Sequence, residues 1–394
     1  MRAAPKSLCW PVLTWLLVIF VLLSGCATPW PAPDTSCSTD SLLIDAHFEG
    51  GQLGACSVSA DGKFELALFP EDEPPINESP WYAFRVSGQP GDTVNIRMTV
   101  ELAYARYWPK ISSDGENWVP LDEMNVRFGE QNEWMDIEIT LDQASTWLAG
   151  QELLTAAYYD AWLDELDSHD EVTTRLLGQS VEGRPIVLAE TPDKPELILM
   201  MGRQHPPEVT GAIAMRMFVE TVFADTELAR QFRQRFKLAI VPLMNPDGVA
   251  AGHWRHNINS VDLNRDWGPF TQPESQSLIK WLEVQEADGR ELRLMLDFHS
   301  TRDDLFYTQP ITVDPVDFAS LWLGAAAARL PDFPFKHEAG PVSEQPNAKN
   351  YFYKSRSIPA ITYESGDETD REQLRRSAIV FAEEMMRLML DSQP

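Results

Sequence analysis

The sequence predicts an antiparallel β-sandwich followed by an α/β domain with a mixed, mainly parallel sheet flanked by helices. Three observations carry this. From Thr174 onward, short apolar runs alternate with longer segments of helical spacing, as in sheets buried between two helical layers. Between Ser41 and about Gln143, period-2 segments alternate with turn signals instead, the mark of half-buried strands. Residues rich in ligand chemistry end the apolar runs of the second region, where open α/β sheets gather ligands.

The first elements precede the fold. Arg2 and Lys6 make a positive region, Trp10 to Leu23 an apolar one, and Leu23-Ser24-Gly25-Cys26 follows. Residues 1–25 read as a secretory signal, whose end resembles a bacterial lipobox with Cys26 as the acylated residue. The apolar stretch falls short of the roughly 20 residues that span a bilayer, although an uncleaved anchor is the competing reading. By the same resemblance, Ala27 rather than Asp after the cysteine favours the periplasmic face of the outer membrane. Residues 26–40, rich in Pro, Ser and Thr, read as a flexible tether. With Cys9 lost and Cys26 acylated, Cys37 and Cys56 remain. They pair if the compartment is oxidising and stay as thiols if it is not.

Residues 41–145 form the expected sandwich. Lys63–Phe69, Thr93–Val100 and Trp134–Ile139 read as strands, separated by Asp61-Gly62, Pro90-Gly91 and Asp114-Gly115. They contain no catalytic constellation, and His47 there reads as structural or exposed. Residues 144–168 look helical and join the domains. The second domain, 146–394, is expected to place strands at 197–201, 238–243, 292–298 and 358–363. Helices fit 209–223, 273–287, 314–330 and 370–391.

The 394-residue chain carries 32 Lys and Arg against 60 Asp and Glu, a net charge of −28. Such a surface repels nucleic-acid phosphates and excludes nucleic acid as a partner. It equally excludes a basic patch docking on anionic lipid, so membrane contact would come through the acyl chains. A hydrophobic content of 44% with 13 Trp sustains packed cores, and the length fits two domains.

The chemistry centres on His205-Pro206-Pro207-Glu208 and on Asp297-Phe298-His299. Catalytic zinc takes nitrogen and oxygen ligands and fills three positions from protein. One tight turn can aim His205 and Glu208 at one ion, and His299 at the end of another run supplies the third ligand. Alone, H-x-x-E is a weak signal that also reads as a surface turn.

More motifs surround it. Gly178-Gln179-Ser180-Val181-Glu182-Gly183-Arg184-Pro185-Ile186 precedes the pair. Asn245-Pro246-Asp247-Gly248, Trp254-Arg255, Val261-Asp262-Leu263-Asn264-Arg265-Asp266-Trp267, Gln272-Pro273-Glu274-Ser275 and Ile361-Thr362-Tyr363-Glu364 follow it. This order, from about Leu176 to Glu364, resembles the zinc carboxypeptidase (M14-type) family of metallopeptidases. Phe48-Glu49-Gly50-Gly51-Gln52-Leu53-Gly54 and Trp81-Tyr82-Ala83-Phe84-Arg85-Val86 resemble the β-rich domain of its cytosolic-type branch. The resemblance implies one Zn2+ per chain on His205, Glu208 and His299. It implies Glu364 as the base that takes a proton from water and hands it to the leaving amine. Arg255 matches the family's oxyanion donor. Asn264 and Arg265 match the pair that clamps a terminal carboxylate, so the implied partner is a peptide with a free C-terminus.

Each assignment has a bland competitor. Glu364 could be a solvated strand-end acid, with Asp367 and Glu368 close by. Arg265 could pair locally with Asp262 and Asp266. His253 and His256 flank Arg255 as supporting or surface residues, and His169 and His337 read as exposed. One departure stands out: Gly340 to Pro346 lacks the tyrosine that the family carries some twenty residues before its glutamate, and Tyr351 and Tyr353 fall in a helical segment. No tyrosine is therefore assigned a catalytic role. Lys349 lies where the family builds its specificity pocket and reads either as a partner for an acidic terminal residue or as a solvated lysine.

The function expected is a zinc metallocarboxypeptidase cutting C-terminal residues. Two rivals use the same residues: a cell-wall (murein) peptide amidase on the same zinc site, and a zinc-free lipoprotein capturing peptide carboxylates through Arg265. The intact set His205, Glu208, His299 and Glu364 argues against the second.

Overall fold

A computed structural model describes residues 35–73, 76–309, 317–340 and 343–392. The expected signal segment, with Cys26, lies outside the described residues.

The N-terminal region is a two-sheet sandwich. Its strands are β1 (Ser36–Ser38), β2 (Leu43–Asp45), β3 (Ala55–Val58), β4 (Phe64–Leu68), β5 (Ala83–Ser87), β6 (Thr93–Val100), β7 (Lys110–Ser112), β8 (Trp118–Pro120), β9 (Val126–Phe128), β10 (Trp134–Thr140) and β11 (Ser145–Ala149). They form a six-stranded sheet, β1-β2-β5-β11-β7-β8, and a five-stranded sheet, β3-β4-β6-β10-β9. All pairs are antiparallel except β4 with β6. Alternation does the sorting: Val94, Ile96 and Met98 are buried while Thr93 and Asn95 face out, as the two-residue period dictates. A disulfide joins Cys37 of β1 to Cys56 of β3, Cα–Cα 5.7 Å, and so links the two sheets. It draws the end of the expected tether into the sandwich as an edge strand.

The expected helix over 144–168 is corrected. Ser145–Ala149 is β11, paired with β5 and β7, and the helix α1 (Ala156–Asp167) starts only after Thr155. Hydrogen bonding on both edges outweighs the local helical character of this apolar stretch.

The second region contains β12 (Thr173–Gln179), β13 (Pro185–Glu190), β14 (Glu196–Gly202), α2 (Val209–Phe223), α3 (Glu227–Arg235), β15 (Phe236–Val241), α4 (Pro246–Ala251), α5 (Pro273–Ala287), β16 (Glu291–Thr301), β17 (Leu305–Thr308), α6 (Phe318–Arg329), β18 (Lys336–Ala339), α7 (Ala348–Arg356), β19 (Ala360–Gly366) and α8 (Arg371–Asp391). One eight-stranded sheet runs β12-β13-β15-β14-β16-β19-β17-β18. Its centre, β15-β14-β16-β19, is parallel; β12, β13 and β17 join by antiparallel pairing. The four expected strands are the four central ones, shifted by a few residues where Pro242 and Pro359 cannot donate to the ladder. Alternate residues of β14 face opposite layers. Ile198 and Met200 pack with Phe218, Phe232 and Phe381 of α2, α3 and α8. Leu197, Leu199 and Met201 pack with Leu278, Leu282 and Phe352 of α5 and α7. The first cluster runs on into Phe64 and Phe84 of the sandwich, so the two regions share one apolar core.

Polar contacts across that boundary are specific. Arg106 pairs with Asp367 (Nε–Oδ2 2.7 Å) with the side chains only 7% and 5% exposed. Burial pushes the Asp367 carboxyl up to about 6, against the pull of Arg106. The folded state therefore holds this proton more tightly than the unfolded chain. The group's contribution to stability is present below the ordinary carboxylate range and is lost as pH rises through about 6. Removing Arg106 strands a buried carboxylate. Arg106→Ala is expected to cost roughly 3–5 kcal/mol near pH 7.5 and clearly less at pH 5, where Asp367 is protonated. Denaturant melts at the two pH values check this; an equal loss at both would show that the Asp367 charge is not the cause.

Candidate active site

One tight turn and two strand ends build the site. After β14 the chain bends at Arg203, whose backbone is left-handed (φ 55°), into His205-Pro206-Pro207-Glu208. The buried Arg203 guanidinium holds this turn from inside, donating from Nε to the Pro206 carbonyl and from Nη1 to the Tyr159 hydroxyl, both at 2.8 Å. Glu208 stands at the N-terminal boundary of α2 with its side chain making no capping bond, at the helix's positive end, which favours a carboxylate. β16 and β19 are in register with His299 opposite Glu364, so these two side chains leave neighbouring strands side by side. α2 lies directly over this point. A Cβ on Gly211 would sit 2.3 Å from the His299 carbonyl oxygen, so glycine is required for the approach.

The three ligand candidates converge. His205 Nδ1 lies 2.7 Å from Glu208 Oε1, His299 Nδ1 2.7 Å from Glu208 Oε2, and the two Nδ1 atoms 3.2 Å apart. Two nitrogens bound at about 2.0–2.1 Å in a tetrahedron would be roughly 3.3–3.4 Å apart. Each imidazole turns its other nitrogen to a carboxylate: His205 Nε2 to Asp262 Oδ1 at 3.0 Å and His299 Nε2 to Asp297 Oδ2 at 2.8 Å. Such partners fix the tautomer and aim the ligating nitrogen. Asp297 also accepts from Gln204 Nε2 (2.7 Å), whose Oε1 accepts from Trp267 Nε1 (2.8 Å). Burial alone would raise Glu208, yet the two imidazoles hold it well below the ordinary carboxylate range. Burial alone would lower His299, yet Asp297 and Glu208 hold it well above its ordinary value. Donor set, spacing and supporting carboxylates all fit zinc.

All the sequence-predicted protein-side residues share one cavity of about 400 Å³: His205, Glu208, His299, Glu364, Arg255, Asn264 and Arg265, with Tyr307 and Lys349. A somewhat larger, mostly apolar cavity beside α1 lacks such a ligand cluster. Glu364 is partly buried, and its Oε2 is inaccessible with no hydrogen-bond partner. Burial pushes its carboxyl up to about 7, with the imidazoles of His299 and His205 opposing. Its acidic neighbours are committed elsewhere: Asp367 to Arg106, and Glu368 to Lys110 Nζ (3.0 Å) and the Trp108 amide (2.9 Å).

The cations differ in freedom. Arg255 Nε donates to Asp262 Oδ2 at 2.7 Å, so Asp262 ties Arg255 to His205. Among the described residues Arg265 donates to the Asn264 carbonyl (2.7 Å) and to no other group. The local pairing that competes for it is absent, because Asp262 serves Arg255 and His205 while Asp266 accepts from Thr271, Gln272 and Ser275. Among the described residues no carboxylate pairs with Arg265. Asn264 Oδ1 accepts from the Ala348 amide (2.9 Å) at the start of α7, and its Nδ2 lies 3.4 Å from His299 Nε2. Lys349 donates to the Thr308 carbonyl at 3.3 Å, and burial lowers its pKa.

Several functional neighbours escape sequence reasoning. Asp297 had a signal, since strand alternation puts it on the face of His299. Asp262, two residues before Asn264, had only the company of the motif. Arg203, Tyr159 and Tyr307 had none. Asp247 explains why two motifs travel together: buried in Asn245–Gly248, it accepts from Ser180 Oγ (2.7 Å), the Glu182 amide (2.8 Å) and Arg184 Nη1 (2.8 Å). His47, His169 and His337 are exposed.

Fold and site together define a zinc-peptidase type of hydrolase. The profile of the zinc carboxypeptidase family matches residues 159–369, and that of the cytosolic carboxypeptidase N-terminal domain matches residues 44–150. The chain belongs to the zinc carboxypeptidase family. It is 25% identical over 267 residues to an uncharacterised protein of Zymomonas mobilis, covering 66% of this chain and 67% of that one. It is 25% identical over 288 residues to mouse cytosolic carboxypeptidase 6, covering 66% of this chain and 53% of the mouse protein. The chain thus spans about half the length of that relative. Among solved structures, a metallo-carboxypeptidase from Burkholderia cenocepacia shares the fold with a TM-score of 0.74 at 20% identity, covering 89% of this chain and 99% of that one. A Pseudomonas aeruginosa metallo-carboxypeptidase has the same TM-score, 0.74, at 20% identity, covering 88% and 98%.

Proposed function

We propose that the chain is a metallocarboxypeptidase that releases C-terminal residues from peptides with Glu364 as general base. One observation carries this: Glu364, whose Oε2 is buried without a hydrogen-bond partner, lines the same cavity as the three-ligand cluster and Arg265, which pairs with no carboxylate among the described residues. Zinc, when held by His205, Glu208 and His299, supplies Lewis acidity to the scissile carbonyl and the attacking water. Glu364 takes a proton from that water and returns it to the leaving amine. Arg255, steadied by Asp262, neutralises the oxyanion of the tetrahedral state. Arg265 receives the terminal carboxylate in bidentate fashion, with the Asn264 amide beside it. Lys349 has no carboxylate partner among the described residues and favours an acidic terminal side chain.

Mass spectrometry after incubation with a peptide and muropeptide library tests this. Loss of single C-terminal residues, enriched in Glu and Asp, is expected. Cleavage confined to muropeptide amide or D-residue bonds would replace the reading with the amidase.

The cellular setting is also a proposal. Leu23-Ser24-Gly25-Cys26 supports a lipid anchor at Cys26 in the bacterial cell envelope, and the Cys37–Cys56 disulfide agrees with an oxidising compartment. Cys26→Ser should abolish lipid labelling; unchanged labelling rejects the anchor.

A further inference from the structure

The sandwich region touches the catalytic machinery at several points, Asn77 lining the cavity itself, and one acidic side chain makes the densest of these contacts. Glu71, just beyond β4, gives its carboxylate to three successive amides: Oε2 accepts from Trp254 (2.7 Å), and Oε1 from Arg255 and His256 (both 2.8 Å). Next to it, Asp72 Oδ2 meets His256 Nδ1 at 2.5 Å. Glu71, Asp72 and His256 lie close enough together to hold a metal. Both Glu71 oxygens are engaged by amide donors, however, three in all, so the cluster reads as a clamp on the backbone.

Successive amides aimed at one anion form a concave nest. Residues 253–256 belong to neither helix nor strand, so no ladder of backbone bonds fixes their course. The carboxylate at the centre of the nest does so instead. Arg255 is the middle residue of that nest. It is therefore held twice: its backbone by Glu71 of the sandwich, and its guanidinium by Asp262 within the site.

We infer that Glu71 is a positioning residue through which the N-terminal sandwich completes the active site by fixing Arg255 against the developing oxyanion. The inference rests on the reading of Arg255 as oxyanion donor. Arg255 acts on charge that develops in the transition state, whereas Arg265 binds the substrate's end throughout. Loosening the nest therefore lowers kcat and leaves KM in place. A displacement near 1 Å is enough to cost on the order of 10²-fold.

The test uses the full chain carrying Glu71→Gln or Asp72→Asn, each alone and combined with Arg255→Ala. Zinc content and melting temperature are read alongside kinetics. Glutamine keeps one acceptor oxygen but turns an amide donor against a backbone donor. Glu71→Gln is expected to lower kcat by roughly 10- to 10²-fold with KM and zinc unchanged, and to add no further loss once Arg255 is gone. Asp72→Asn should act in the same direction, more weakly. An unchanged kcat in Glu71→Gln overturns the proposal, as does an equal loss with and without Arg255, which would mark general support of the fold. Should Glu71→Gln fail to fold, Asp72→Asn decides: a loss seen only with Arg255 present supports the clamp, and any other result overturns it. An Arg255→Ala protein as active as wild type removes the clamp and the oxyanion reading together. A wild type that releases no C-terminal residue is recognised before any variant and defeats the functional reading itself.

Discussion

Glu364→Gln is expected to lower kcat by at least roughly 10²-fold while zinc stays bound, because general-base catalysis contributes on that order or more. Glutamine matches glutamate in shape but cannot accept the water's proton. The position is favourable for such a base: Glu364 sits opposite His299 in the sheet register, and its Oε2 is buried without a partner. The substitution leaves His205, Glu208 and His299 untouched, so metal content measured on the same preparation separates lost chemistry from lost zinc. Full activity with zinc bound would place the base elsewhere. Glu368 is then a poor substitute, since it is occupied by Lys110 and the Trp108 amide.

Arg265→Ala is expected to hurt peptides with a free C-terminus far more than their amidated forms. The guanidinium is uncommitted to any carboxylate among the described residues, and burial and the neighbouring Arg255 lower its pKa despite Asp262. It is thus a cation placed where an anion is wanted. Losing a charge-assisted pair at a buried site costs on the order of 2–5 kcal/mol, and because Arg265 is exposed in the free chain, the expectation lies at or below the lower end of that range. Comparing kcat/KM for a peptide and its C-terminal amide, in wild type and variant, reads the difference directly. Equal slowing of both substrates would remove the clamp and favour an amidase.

The central sheet and its candidate ligands were legible because their signals are local. The run 292–298 is mostly apolar, interrupted only by Arg293 and Asp297, and 209–223 and 273–287 repeat at helical spacing, so α2 and α5 fall where expected. The cavity residues were legible through the order of short motifs. What stayed hidden depends on distance in sequence. Ser145–Ala149 became a strand only because β5 and β7 flank it. Arg203 reads as a surface residue until Tyr159, more than forty positions away, is brought beneath it. The bond from Glu71 to the Arg255 amide crosses 184 residues, from the sandwich to the second region, and no period or motif announces such a contact.

The most direct measurement is zinc titration of the metal-stripped wild-type protein while C-terminal residue release is followed. Chelation is expected to abolish release, zinc to restore it up to one equivalent per chain, and a protein lacking both His205 and His299 neither to bind that equivalent nor to recover. Full turnover by the stripped protein, or full zinc occupancy in the doubly substituted one, would contradict this.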